Sequence, residues 1–224
     1  MVDSYGMMHL MKTTTIYRKG IKRPMDAKSV LKPGASNKKL GRKVLKGKWK
    51  GAYIYSLTLT ERATCPTSCH HWDDCYGNNM PFAHRFEHGP LLQDKLTQEV
   101  RALCKKHDKV AIRLHVLGDF YSIDYVRFWD GLMCIHPNLH VWGYTARTDS
   151  IGREVMALNL RYPTRWAVRI SSSQESSDPM NIFAAEEGFT GDHFVCPEQT
   201  GKVKSCGDCG LCWQSTKTVK FLSH

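Results

Sequence analysis

The feature that most constrains this chain is a rhythm. Across residues 52–173, short stretches rich in β-branched and aromatic residues alternate with longer stretches whose apolar residues recur at a helical period. AYIYSLTLT (52–60) reads as a strand. Residues 81–107 read as mainly helical, with Phe82, Leu91, Leu92, Leu96, Val100 and Leu103 as the apolar face. KVAIRLHVLGD (109–119) is the next strand, 123–135 a helix stopped near Pro137, LHVWGYTAR (139–147) a strand, 151–161 a helix ended by Pro163, and RWAVRISSS (165–173) a strand. DHFVC (192–196) adds one more, and VKFLSH closes the chain. Parallel neighbours need a crossover of a dozen or more residues, usually a helix, so this order predicts βαβ units. About five such strands are too few for a closed eight-fold barrel. The expected fold is α/β: a partial β/α barrel or an open, mostly parallel sheet with cysteine-rich metal-binding loops. The expected divisions are a basic N-terminal arm (1–50), a β/α core (51–195) and a cysteine-rich segment (196–224).

In parallel β/α folds, ligands gather beyond the C-terminal ends of the strands. Several polar residues of this chain fall there. Gly118-Asp119 end the second strand, Thr145 and Arg147 the third, Arg169 and Ser171 to Ser173 the fourth, and Cys196 the fifth. Asp119 can accept hydrogen bonds from a ligand amine or hydroxyl, or cap the following helix. Arg147 and Arg169 can grip a carboxylate or phosphate through a bidentate fork, or form a salt bridge in a loop. We therefore take Asp119, Arg147 and Arg169 as candidate catalytic residues, with Gly118, Asp119, Thr145 and Ser171 as candidate cofactor contacts. His115, in RLHVLGD, reads as a packed strand histidine. Cys104 and Cys134 read as small core residues of helices, and Trp142 and Trp166 as core aromatics.

Seven of the nine cysteines form two groups. Cys65, Cys69 and Cys75 have the spacing C-x3-C-x5-C and follow the first strand. Three thiolates can hold three irons of a [4Fe-4S] cluster and leave the fourth open to a small molecule. They could instead hold zinc, with His70, His71 or His84 as the fourth ligand. Cys196, Cys206, Cys209 and Cys212 have the spacing C-x9-C-x2-C-x2-C, which suits a second cluster or a structural zinc.

The sequence has no run of about eighteen apolar residues, so no membrane span is expected. The N-terminus lacks a secretory signal pattern. A cytoplasmic location follows (host cytoplasm if the source is a phage), and there clustered cysteines read as metal ligands before disulfides. The charge is uneven. Residues 12–50 carry fourteen Lys or Arg and one acid, a net +13 that leaves about −2 for the rest of a +11 chain. Such a segment suits a polyanion, most simply nucleic acid or a nucleotide, or acts as a solvated arm.

Two resemblances extend this reading. Three cysteines after a strand ending in LTLT resemble the cluster loop of radical S-adenosylmethionine enzymes, which follows the first strand of a partial β/α barrel. There a Gly-rich acidic motif after the second strand binds the methionine amino group, and Gly118-Asp119 hold the comparable place. The usual spacing in those enzymes is C-x3-C-x2-C, with an aromatic before the last cysteine. Here the last gap is five, Asp74 precedes Cys75 and Tyr76 follows it. The stretch 39–224 also resembles a family of cysteine-rich phage and plasmid proteins of unassigned function, the gene-product-88-like proteins of mycobacteriophages. The matching motifs are Lys39-Leu40-Gly41, Thr64-Cys65-Pro66, Cys75-Tyr76, Arg113 through Asp119, Tyr144 through Arg147, Arg169 through Ser171, Cys206 through Trp213, and His224. That likeness implies a phage or prophage source and a shared site, and no activity. The resulting expectation is an iron–sulfur enzyme of the S-adenosylmethionine type with one or two [4Fe-4S] clusters, acting on a nucleotide or nucleic acid. The alternatives are a non-enzymatic nucleic-acid-binding protein stabilised by zinc or iron–sulfur, and a protein that disables a host factor.

Overall fold

The structure is a computed structural model that describes residues 15–171, 183–185 and 191–222. Ser172, Ser173, His224 and residues 1–14 of the expected N-terminal arm lie outside the described residues. Among the described residues ten strands occur: β1 (Ile21–Lys22), β2 (Lys32–Pro33), β3 (Tyr53–Ser56), β4 (Arg85–Phe86), β5 (Val110–Leu114), β6 (Leu139–Thr145), β7 (Trp166–Ser171), β8 (Phe183–Ala185), β9 (His193–Val195) and β10 (Thr218–Lys220). Three long helices, α1 (Pro90–Lys106), α2 (Ile123–Ile135) and α3 (Ser150–Arg161), join β4 to β5 to β6 to β7. Two four-residue helices, α4 (Cys206–Cys209) and α5 (Leu211–Gln214), carry three cysteines of the second group.

Eight strands form one sheet in the order β2-β3-β5-β6-β7-β8-β10-β9. Only the β2–β3 pair is antiparallel. The order is linear with β2 and β9 at its ends, so the sheet is open and no barrel, partial or closed, is formed by the described residues. From β3 to β8 the chain advances across the sheet in one direction. Right-handed crossovers then lay every connecting helix on the same face.

Strand residues alternate between the two faces, and each face has its own core. On the helical face Val110, Ile112, Leu114, Leu139, Val141, Trp166, Val168 and Ile170 pack against α1, α2 and α3. On the other face Ile54, Ala111, Trp142 and Ala167 pack against Leu40, Val44, Trp49 and Trp213. The Trp49 and Trp213 rings stack with centroids 5.0 Å apart. The described part of the basic lead-in is therefore not a detached arm. Its apolar residues belong to a core shared with the C-terminal cysteine segment.

Helix boundaries follow local chemistry. Ser122 caps α2 by accepting from the Tyr125 N–H, and Asp149 caps α3 by accepting from Ile151 and Gly152. The helix expected from residue 81 begins instead at Pro90. Proline suits a first turn because its missing N–H would be unpaired there, while the residue before it is pushed out of helical geometry. Phe82, expected on the apolar face, lies in the preceding loop and is 95% exposed. Cys134 also departs from expectation. It is exposed on α2, with its sulfur 2.9 Å from the Tyr162 hydroxyl. No helix among the described residues is long and apolar enough to cross a membrane.

Candidate metal centres

The loop that carries Cys65, Cys69 and Cys75 leaves β3 and is fastened from inside. Glu61 and Arg85 are both fully buried and form an ion pair at 2.8 Å. Arg85 also donates to the carbonyls of Gly77, Met80 and Ala83. A buried pair persists when its remaining donors find acceptors, and here the acceptors are the loop's own backbone. Arg62 adds a second strut through the Trp72 carbonyl and Asn78 Oδ1.

The base of Cys65 is tied to the ends of β5 and β6. Thr64 Oγ1 accepts from the Asp119 N–H at 3.1 Å, and the Thr64 carbonyl accepts from Arg147 Nη2 at 3.0 Å. Asp119 is 3% exposed and accepts from Phe120 N–H, Thr145 Oγ1 and Ala146 N–H at 2.7, 2.7 and 2.8 Å. Burial pushes its carboxyl up to about 6 against those donors. Gly118 has φ +85°, and a Cβ there would come within 2.6 Å of Leu59 Cβ and Thr64 Oγ1. Arg147 also donates to the Phe120 carbonyl and pairs with Asp149. The structure thus brings Gly118, Asp119, Thr145 and Arg147 together. Their polar atoms bond to one another and to the foot of the Cys65 loop.

The second group sits on the opposite face of the sheet. Cys196 follows β9, and its N–H donates to the Lys220 carbonyl. The Cys206 and Gly207 N–H groups donate to the carbonyls of Lys39 and Leu40. Gly41 packs so closely on Ser205 that a Cβ would lie 2.5 Å from Ser205 Oγ. Lys39-Leu40-Gly41 is therefore the cleat that seats α4. Arg169 is fully buried and donates to the carbonyls of Cys212, Ser215 and Lys217. The Tyr144 hydroxyl donates to Cys212 Sγ at 3.0 Å, and the Arg113 guanidinium lies 5.7 Å from the Tyr144 ring centroid. All four cysteines line one narrow pocket, closed by Phe194, Trp213 and Val219. Ser171 ends β7 on the same face as Arg169, in register with Ala184 of β8.

The two groups share the C-terminal end of the strands and stand on opposite faces there. Consecutive residues of β6 make this plain: Tyr144 reaches Cys212, and Thr145 reaches Asp119. A single polar face holding both groups is not what the chain builds.

The thiols within each group feel one another. Burial, then the nearby Asp119 carboxylate, with Cys69 and Cys75 adding, pushes Cys65 up to about 12; Cys206 is likewise pushed up to about 12 by burial, with Cys212 and Cys196 adding to the shift. Donors offset this. The Gly77 N–H donates to Cys75 Sγ at 3.4 Å, and the backbone of His71 and of Leu211 does the same for Cys69 and Cys209. In each case the donor lies two residues after the cysteine. Hydrogen bonds to a sulfur favour its anionic form, the form that binds metal. Among the described residues, no three His, Cys, Asp or Glu side chains already surround one metal position.

Sequence reasoning passed over Glu61 and Arg85, and named Arg113 and Tyr144 as motif positions without a role. Glu61, directly after LTLT, carried a signal: a charge entering from a buried strand needs a partner. Arg85 carried none, because its partner lies 24 residues away.

The family model described as gene product 88 matches residues 29–215. No curated protein and no solved structure matches the chain.

Proposed function

The chain belongs to the gene product 88 family, and from that premise we propose that it is a thiolate metalloprotein with two centres, the first of them catalytic. Cys65, Cys69 and Cys75 hold the open centre. Cys196, Cys206, Cys209 and Cys212 hold the closed one. The observation that carries this is the repeated backbone donation to the sulfurs, from Gly77 to Cys75 at 3.4 Å and from His71 and Leu211 to Cys69 and Cys209. Binding would draw the thiols of each group inward onto the metal.

Iron–sulfur is the preferred occupant of both. Three thiolates without a fourth suit a [4Fe-4S] cluster with one open iron, and four suit a closed cluster. Such a group supplies one-electron chemistry and a position for the heteroatoms of a small molecule, for which S-adenosylmethionine is our choice. The chain's own residues do the holding. Asp119, Thr145 and Arg147 fix Thr64 and with it the direction of Cys65, while Arg169 fixes the backbone of Cys212. We assign Asp119, Arg147 and Arg169 positioning roles on this ground, since their bonds run to the cysteine loops.

One observation favours zinc at the first centre. His71 Nδ1 lies 3.2 Å from Asp74 Oδ1, and a carboxylate on one imidazole nitrogen is the usual companion of a zinc bond at the other.

The test is metal and sulfide analysis with a visible spectrum, on protein purified without oxygen. About four irons per centre and a brown chromophore are expected, followed by S-adenosylmethionine cleavage under a low-potential reductant. A colourless protein with zinc in both groups overturns the iron–sulfur assignment. A protein that takes up neither metal overturns the two-centre reading.

A further inference from the structure

The basic segment and the C-terminal cysteine segment are one surface. They cover the same face of the sheet and are stitched backbone to backbone. The Leu45 N–H donates to the Gly207 carbonyl, and the Lys43 carbonyl lies where a Gly207 Cβ would be. The apolar side chains of this layer point inward, as Leu40, Val44 and Trp49 show. Its charges point outward. Lys38, Arg42, Lys46, Lys48 and Lys50 are exposed, and across the seam so are Lys202 and Lys204. The acids beside them are engaged: Glu198 with Lys39, and Asp208 with Ser205.

The patch has a shape as well as a sign. Lys46 follows Leu45, whose N–H is bonded to the Gly207 carbonyl of α4, and Lys48 stands beyond the turn at Gly47. Lys48 opens onto a cleft of about 590 Å³. Lys109, Arg165 and His140 line that cleft with it, and Asp108 is its one acid. A row of cations leading into a shallow cleft bordered by Lys48, Lys109 and Arg165 fits an extended polyanion. A flat bilayer would favour apolar prongs around the lysines, and Leu45 is the one large hydrophobic exposed along 38–50.

We propose that this composite face binds the phosphate backbone of a nucleic acid, which runs from the C-terminal cysteine pocket into the cleft beside Lys48. The inference rests on the two-centre reading in one respect: the bound metal keeps residues 196–222 seated on the sheet. About five phosphate contacts give a slope of log K against log salt near −4.5 on duplex DNA, and a shallower one on single strands.

The experiment uses the full-length, metal-loaded protein and short fluorescent oligonucleotides (single-stranded DNA, RNA of the same sequence, and duplex) titrated at several salt concentrations. Two doubly substituted proteins remove the same net charge. Lys46→Gln with Lys48→Gln alters the face. Arg127→Gln with Arg153→Gln alters exposed positions on α2 and α3, behind the sheet. The first is expected to weaken binding about tenfold and to reduce the salt slope by about two, because each phosphate contact contributes about one. The second is expected to leave both within error. Equal losses in the two proteins, no loss in the first, or binding to anionic phospholipid vesicles in place of every oligonucleotide overturns the proposal. Metal content, measured on the same samples, separates this failure from that of the centres. Loss of binding with metal retained concerns the face alone, and a chain that never takes up metal defeats the two-centre reading first.

Discussion

The two cysteine groups are held by different forces. The first is held by charge. A buried carboxylate and guanidinium close its loop, and Asp119 and Arg147 tie down its foot. The second adds stacking to the buried Arg169, which donates to three backbone carbonyls of its segment. Trp213, on α5, lies flat on Trp49 and edge-on to Trp142, and the two cysteine-bearing helices are only four residues long. Helices that short have no stability of their own. The first loop therefore carries its shape within the polypeptide, whereas the second borrows its shape from the sheet and from whatever its sulfurs bind. An open centre that must meet a changing ligand suits the former. A closed, structural or electron-carrying centre tolerates the latter.

The largest break in this comparison is Arg85→Met. It strands Glu61 as a buried, unpaired charge and releases three loop carbonyls at once. Removing one partner of a buried pair costs about 3–5 kcal/mol, so urea unfolding should show a loss of that size. Metal analysis on the folded fraction should show the first group emptied and the second still filled. If both groups empty together, charge is not what distinguishes them. Adding Glu61→Gln to Arg85→Met should recover part of the loss, since the orphaned charge is then gone.

Trp213→Ala is the converse. Truncating a buried tryptophan costs about 3 kcal/mol, and Trp213 forms both the roof of the cysteine pocket and the stack with Trp49. Hydrogen exchange should rise across 196–222 and along the 39–49 cleat, while the amides of 60–80 keep their protection. Equal exposure of both regions would mean the two groups form one cooperative unit.

Most of this frame was legible in the sequence, for a physical reason. Helical and strand periods are local, so α2, β6, α3 and β7 could be read within a residue or two of where they lie, while β5, read as 109–119, ends at Leu114. The cysteine groups were legible because spacing is local too. What escaped was set by distance along the chain. Periodicity carried the helix back to Phe82, while Gly89-Pro90 moved its start to Pro90. The basic segment read as an arm because its apolar residues, Leu40, Val44 and Trp49, follow no simple period; their partners are Trp142 and Trp213 on distant elements. Asp119, Arg147 and Arg169 stood out as polar residues at strand ends. Their bonds to the Thr64 and Cys212 backbones could not be read from any one-dimensional pattern.

The smallest change sharpens the comparison most. Tyr144→Phe leaves the ring beside Arg113 and Phe221 and removes one hydroxyl, the donor to Cys212 Sγ at 3.0 Å. A single hydrogen bond of this kind contributes about 1 kcal/mol, so the protein should unfold almost as before. The second centre should nonetheless change, because a donor at a ligand sulfur withdraws charge from the metal and eases its reduction. In the iron–sulfur case the midpoint potential of the second centre falls in Tyr144→Phe, and a redox titration followed by spectroscopy reads it. The first centre should keep its potential. Thr145, the next residue, faces the other side of the sheet and still holds Asp119. A shift in both potentials would mean that β6 couples the centres through its backbone, and that the sheet between them is a connection more than a wall.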